Sequence, residues 1–341
     1  MRAARLEDVA AAAGVSPATV SRVINGRPVV APETRERVLA AVQRLNFRPD
    51  SLARSLATRR TGALGLVIAD ITNPFYPEVV RGVEQTAAGY DLSVLLYDTA
   101  EDSEREAQSI RLLGERRVDG VIVCAARLPE ARLAELVRPD TPIVLINRRL
   151  SHLPVCTVEV DQETGVREAL LHLAALGHRR IAFIGGPVAS QVQQRRLAAF
   201  RRECRNLGIF TPGRWIVDAP PTIIGGKEAA SALFARDARP GAILAYNDLI
   251  AIGAAIAAQE AGIAIPAELS IIGHDDIPLA GVVHPALTTV RQPMRDLGVQ
   301  AVLLLQQCFN GGAPARTPPL IQLAPRLIVR ASTAPAQAGS E

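Results

Sequence analysis

Residues 5–26 read RLEDVAAAAGVSPATVSRVING. The spacing predicts a short helix over 6–13, a glycine turn at Gly14-Val15-Ser16, and a second helix from Pro17 to about Asn25. Leu6, Val9, Ala10, Val15, Val20 and Val23 form the apolar set that would pack the two helices together. Ser16 is suited to an N-cap, and Pro17 falls at the first helical position, where its missing N–H costs nothing. The second helix then turns Pro17, Ala18, Ser21, Arg22 and Asn25 outward, a mixture of small, hydroxyl, amide and guanidinium groups. This is the pattern of a helix-turn-helix with a DNA-reading face, against the plainer alternative of an ordinary αα-hairpin.

Charge favours the DNA-reading alternative. The first 60 residues carry eleven arginines, no lysine and five acids, a net of +6. The whole chain of 341 residues nets +4, so the remainder is −2. A basic head on a near-neutral body points to a polyanion partner for the head alone. The length implies two or three domains. Four scattered cysteines (Cys124, Cys156, Cys204, Cys308) lack metal-ligand spacing and fit a reduced, cytoplasmic protein. Neither an export leader nor a membrane span is expected, because no apolar run is long enough.

A third helix is expected over 33–45 with Val38, Leu39, Val42 and Leu45 on one face, though Ala31 is a poor cap. Asn46-Phe47-Arg48-Pro49 ends it. The following stretch, residues 50–57, has helical residue types but only two turns, too few for a stable isolated helix. These 60 residues resemble the head of the LacI/GalR family of bacterial transcription regulators. The resemblance rests on the helix-turn-helix, on APETRERVLAAVQRLNFRPD (31–50) and on SLARSLATRRTGALGLV (51–67). It implies that Arg22 reads a guanine edge in the major groove and that Pro17 and Ala18 touch base edges. Ser16, Thr19, Ser21 and Asn25 would hold phosphates. Arg54 joins this DNA-binding set, and Leu56 matches the leucine that the family wedges into the minor groove. Asp50 departs from the family's usual neutral Asn.

From Gly62 onward, apolar runs of five to seven residues alternate with amphipathic stretches. Strands are expected at 65–71, 93–98, 120–125, 142–147, 157–161, 180–186, 242–247 and 269–273. Helices are expected at 77–88, 104–115, 163–176, 195–206, 226–234, 248–261 and 295–308. Two rounds of strand and helix imply an α/β body of two similar lobes with parallel sheets. Ligands in such sheets bind beyond the carboxyl ends of the strands. No phosphate-binding glycine loop and no nucleophile–base pattern supports an enzyme. His172 and His178 read as surface residues at a helix end.

The body also resembles the same family, which is similar here to periplasmic sugar-binding proteins. DITNPFYPEVVRGVEQTA, IVLINR, VDQETG, LGHRRIAFIGG, QRRLAAF, ILAYNDLIAIGA, LSIIGHDD and LTTVRQP match in order. Carried over, Phe75 and Tyr76 would stack on a ring, and Asn147, Asp161, Arg196, Asn247 and Asp275 would bond ligand hydroxyls beside Arg148. The plainer alternative is that Arg196 and Asp275 only pair with each other across the cleft and that Asn73 only caps a helix. The domains expected are a helix-turn-helix head (1–48), a hinge (49–60), and an effector-binding and dimerisation body (61–334). Two interleaved lobes would cross near 161, 291 and 323, and a disordered tail (335–341) would follow. The resulting expectation is a repressor, homodimeric because no leucine heptad ends the chain, that binds a palindromic double-stranded DNA operator on the nucleoid. A sugar or sugar acid would control it, with a purine or a partner protein as alternative effectors. No catalytic residue, metal, cofactor or membrane partner is expected.

Overall fold

The computed structural model describes residues 4–24, 30–47, 60–138, 140–236, 239–309 and 319–337. Asn25, Asp50, Arg54, Leu56 and the expected hinge helix lie outside these residues. The chain divides into two compact units, Met1–Gly62 and Ala63–Glu341.

In the first unit, α1 (Leu6–Ala13), α2 (Pro17–Ile24) and α3 (Pro32–Arg44) enclose one small core. Asp8 Oδ2 accepts the Arg5 N–H at 2.8 Å and so caps α1. Gly14 ends that helix at φ 65°, a left-handed conformation that glycine adopts without a Cβ penalty. Ser16 Oγ accepts the Thr19 N–H at 3.2 Å and starts α2. Val9, Val20, Val23, Val38 and Phe47 are buried together, each valine contributing about 1.5–3 kcal/mol of transfer energy. Leu39, expected in this core, is 46% exposed. Ala41 takes the inward position instead, because residues three apart from Val38, not adjacent to it, share its face.

The body begins with β1 (Ala63–Ile68), α4 (Phe75–Ala88), β2 (Ser93–Asp98), α5 (Ser103–Glu115), β3 (Gly120–Cys124), α6 (Glu130–Leu136), β4 (Ile143–Ile146) and β5 (Cys156–Val160). It continues through α7 (Gln162–Ala175), β6 (Ile181–Gly185), α8 (Gln191–Asn206), β7 (Ile216–Asp218), α9 (Ile223–Phe234), β8 (Ala242–Ala245), α10 (Asp248–Glu260) and β9 (Ser270–Asp275). The last elements are α11 (Pro278–Val282), β10 (Thr288–Arg291), α12 (Met294–Phe309), β11 (Leu320–Leu323) and β12 (Arg326–Ile328).

Two six-stranded sheets result, ordered β11-β5-β4-β3-β1-β2 and β12-β10-β9-β8-β6-β7. All neighbours are parallel except β12, which runs antiparallel to β10. The chain passes from the first sheet to the second after β5, back after β10, and over again between β11 and β12. In each sheet the strand order reverses once, between β1 and β3 and between β6 and β8. Such reversals leave a crevice at the carboxyl ends of the flanking strands.

Each lobe is closed by a pair of helices in near backbone contact. A methyl on Gly298 of α12 would overlap the Val79 carbonyl and stand 2.7 Å from Val83 N on α4. One on Gly253 of α10 would overlap the Ile223 carbonyl and stand 2.6 Å from Lys227 N on α9. The lobes therefore repeat a packing device as well as a topology. Two expectations fail in the second lobe. His178 is buried, with Nε2 3.0 Å from the Ala334 carbonyl, and His172 Nε2 lies 3.0 Å from Thr333 Oγ1. The tail, expected to be disordered from 335, stays bound through 337: Ala336 N–H donates to Leu176 O and Gln337 Nε2 to Ala267 O.

Candidate functional site: the inter-lobe cleft

The carboxyl ends of the strands at both reversals open into one cleft. The first lobe supplies Asn73, Phe75 and Tyr76 after β1, Glu101 after β2, Ala125 and Arg127 after β3, and Asn147 after β4. The second supplies Val192 and Arg196 from α8, Pro221 after β7, Tyr246 and Asn247 after β8, Asp275 at the end of β9, and Gln292. Of the residues expected to bind an effector, Phe75, Tyr76, Asn147, Arg196, Asn247 and Asp275 meet here.

Two do not. Arg148 turns behind the 125–130 loop, where Nη2 donates to Leu128 O at 3.0 Å. Asp161 caps α7 where the chain first crosses lobes, accepting from Thr164 N at 3.1 Å and Thr164 Oγ1 at 2.8 Å. Burial works against its charge, but those hydrogen bonds hold its carboxyl below the usual range.

Backbone strain concentrates at this cleft. Glu101 (φ 61°), Ala125 (φ 58°), Asn147 (φ 56°) and Asp275 (φ 117°) are all left-handed without being glycine, and all four line it. Each costs about 1–3 kcal/mol, and such residues gather where geometry serves a site. Asn147 Oδ1 accepts the Val160 N–H at 3.0 Å, which fixes that side chain across the strand ends. Asn73 Oδ1 accepts from Phe75 N at 3.0 Å and sets the start of α4. Asn247 caps α10 through Ile250 N at 2.9 Å and holds Pro221 O at 3.3 Å, so it shapes the wall.

Two arginine–carboxylate pairs face each other. In the second lobe Arg196, 3% exposed, lies 3.9 Å from Asp275 Oδ1, with its Cζ 4.9 Å from the Tyr246 ring centroid. Its Nε donates to Gln162 Oε1 at 2.8 Å and its Nη1 to Tyr246 O. Gln292 Nε2 donates to Asp275. Burial pushes the Asp275 carboxyl up to about 7, against the opposing pull of Arg196 and Gln292. Asp248, fully buried behind it, is raised further by burial and by the Asp275 charge, while accepting from Thr289 Oγ1 and Ile277 N. His274 is held neutral by burial and by Arg196.

In the first lobe Arg127 donates from Nε to Glu101 Oε2 at 2.5 Å and from Nη2 to Glu101 Oε1 at 3.0 Å. Burial works against its charge, but Tyr76, Tyr246 and Glu101 more than offset that. Arg127, Glu101 and Gln292 were not among the expected binding residues. The available signal was Arg127 itself, a lone cation three residues beyond the apolar run of β3.

In the head, the structure leaves Ser16, Pro17, Ala18 and Arg22 exposed, with Thr19 and Ser21 partly so. Among the described residues no group of His, Cys, Asp and Glu could hold a metal ion, and no helix is long and apolar enough to cross a membrane.

A helix-turn-helix unit followed by a two-lobed α/β body with an inter-lobe cleft defines a DNA-binding regulator with a ligand-binding body. Residues 5–50 match bacterial regulatory proteins of the lacI family, and residues 170–333 match a periplasmic binding protein-like domain. The chain is 35% identical to catabolite control protein A of Priestia megaterium, over 96% of this chain and 98% of that one. It is 33% identical to the HTH-type transcriptional repressor PurR of Photobacterium profundum, over 96% and 98%. The fold superposes on a lac repressor dimer bound to operator and the anti-inducer ONPF with a TM-score of 0.89, at 28% identity, covering 98% of this chain and 100% of that one. The chain belongs to the LacI family of DNA-binding transcriptional regulators.

Proposed function

We propose that this protein is a homodimeric repressor of metabolic genes that binds a palindromic operator and responds to a small polar effector in the inter-lobe cleft. It acts in the cytoplasm on the nucleoid. The observation that carries the reading is the meeting of Arg196, Asp275, Asn147 and Tyr76 in a cleft made by both lobes. A ligand there contacts both lobes, so its binding energy biases their relative position. Hydroxyl-binding groups dominate the lining, which favours a sugar or sugar acid. Self-association is supported by exposed apolar side chains on the second lobe: Ile224 and Val282 are 70% and 65% exposed, and Leu279 is exposed nearby. Hinge segments of the two copies would meet between the heads, with Leu56 and Arg54 at the minor groove and Arg22 in the major groove. Lobe closure then couples effector to operator reciprocally.

The test is operator selection from random duplex DNA with the full chain, followed by competition at moderate salt. Enrichment of a palindrome, and a shift of its affinity by a compound that stabilises the protein thermally, is expected. Equal affinity for palindrome and scrambled DNA, with and without any such compound, would overturn the reading.

A further inference from the structure

The Arg127–Glu101 pair joins the loops after β2 and β3 where both border the cleft. Glu101 and its neighbour Ala100 are both left-handed, at φ 61° and 50°, and the Glu101 N–H is tied to Ala69 O at 2.6 Å. Two consecutive strained residues hold one carboxylate at the mouth of β2, facing the cleft. Arg127 is 6% exposed, and its Nη1 is anchored on Ala125 O, itself on left-handed backbone. Both residues line the cleft on the wall opposite Arg196 and Asp275.

A guanidinium bound to a carboxylate places unused N–H donors beside unused acceptor lone pairs. Two adjacent hydroxyls complement that pattern, each accepting from the cation and donating to the anion. A ligand carboxylate does not. Glu101 already neutralises Arg127 through two bonds, so an incoming anion would meet a like charge in a buried site.

We propose that Arg127 and Glu101 determine specificity by reading a pair of adjacent hydroxyls at the end of the effector away from Arg196, and by rejecting a carboxylate there. The proposal rests on the cleft being the effector site, and it selects a neutral polyol over a sugar acid.

The experiment is calorimetric titration of the full chain with neutral monosaccharides and alditols, the matching uronic acids, and adenine, guanine and hypoxanthine. At least one neutral polyol is expected to bind, with its uronate at least tenfold weaker. Its deoxy analogue lacking one of the adjacent hydroxyls should bind about tenfold to a hundredfold weaker. Glu101→Gln uncovers the Arg127 charge and should shrink the uronate penalty by at least tenfold. Arg127→Gln should erase discrimination against the deoxy analogue, with Arg127→Lys as the second variant if the first does not fold. A uronate or purine that binds the parent chain better than every neutral polyol overturns the proposal, as does failure of every neutral polyol to bind. Deoxy discrimination that survives in both variants also overturns it. Arg196→Ala separates the two levels. If polyol binding survives that change, the cleft is not the effector site. If binding is lost there but unaffected by the Glu101 and Arg127 changes, only the role of this pair fails.

Discussion

Replacing Arg196 with alanine should destabilise the second lobe by an amount that grows with pH. In the native chain Arg196 is the largest influence holding the buried Asp275 carboxyl down, yet that carboxyl still titrates at about 7. Without the guanidinium only the Gln292 amide favours the charged form, so the value climbs. Below pH 7 Asp275 is protonated in both folded proteins. The difference there comes from Gln162 Oε1 and the Tyr246 carbonyl losing their donor, a floor of about 2–4 kcal/mol. Above pH 7 the parent has released the Asp275 proton and the variant has not. The variant's folded state then binds more protons than its unfolded state, so its stability falls as pH rises, by about 1.4 kcal/mol per pH unit. The pH-dependent loss levels off at about 3–5 kcal/mol, the cost of an unpaired buried charge. Trp215 is the only tryptophan, fully buried in the same lobe, so urea unfolding followed by its fluorescence reports the right region. Measured at pH 6, 7, 8 and 9, the gap between parent and variant should widen after pH 7, and Asp275→Asn in the Arg196→Ala background should flatten it. A gap that is constant from pH 7 to 9 would refute this account of the pair.

Effector affinity should fall as pH drops from 8 to 6, by up to about tenfold per unit below 7, because protonated Asp275 no longer accepts two hydrogen bonds; Asp275→Asn should bind weakly at every pH in the same titration. Gly298→Ala should force α12 away from α4, since its methyl would stand 2.7 Å from Val83 N besides overlapping the Val79 carbonyl. A loss of about 1–3 kcal/mol in thermal unfolding is expected, whereas alanine at the exposed and unobstructed Gly281 should change it by less than about 0.5 kcal/mol. Arg22→Ala should relax discrimination at one guanine position of the operator by about 1–3 kcal/mol, read by gel shift against single-base variants; an unchanged base preference would remove Arg22 from direct readout.

The elements that could be read from the chain are those whose local chemistry and burial agree. β2 begins and ends where its apolar run places it, and α1 where its glycine stop and first apolar residue place it. The two parallel sheets follow from apolar runs that are buried on both faces, as in β3 and β4. β10 and β12 were illegible for the opposite reason. Thr288 and Thr289 are fully buried through hydrogen bonds to Ser332 and Asp248, partners 44 and 41 residues away, not through apolar side chains. The helix α8 starts four residues before its apolar period suggests, because Ser190 Oγ caps it by accepting from Gln193 N. The same split divides the cleft. Asn147, Asn247 and Asp275 stand at the ends of apolar strands, where sequence can find them. Glu101 and Arg127 reach the cleft through backbone at residues 100, 101 and 125 that takes left-handed angles without glycine, a conformation no residue pattern announces. The Glu101–Arg127 part of the site is thus written in strained loops, and Asn147, Asn247 and Asp275 in strand and helix ends. Substitutions in the 99–102 and 125–128 loops can therefore retune what the cleft accepts while the sheets that carry them keep their packing.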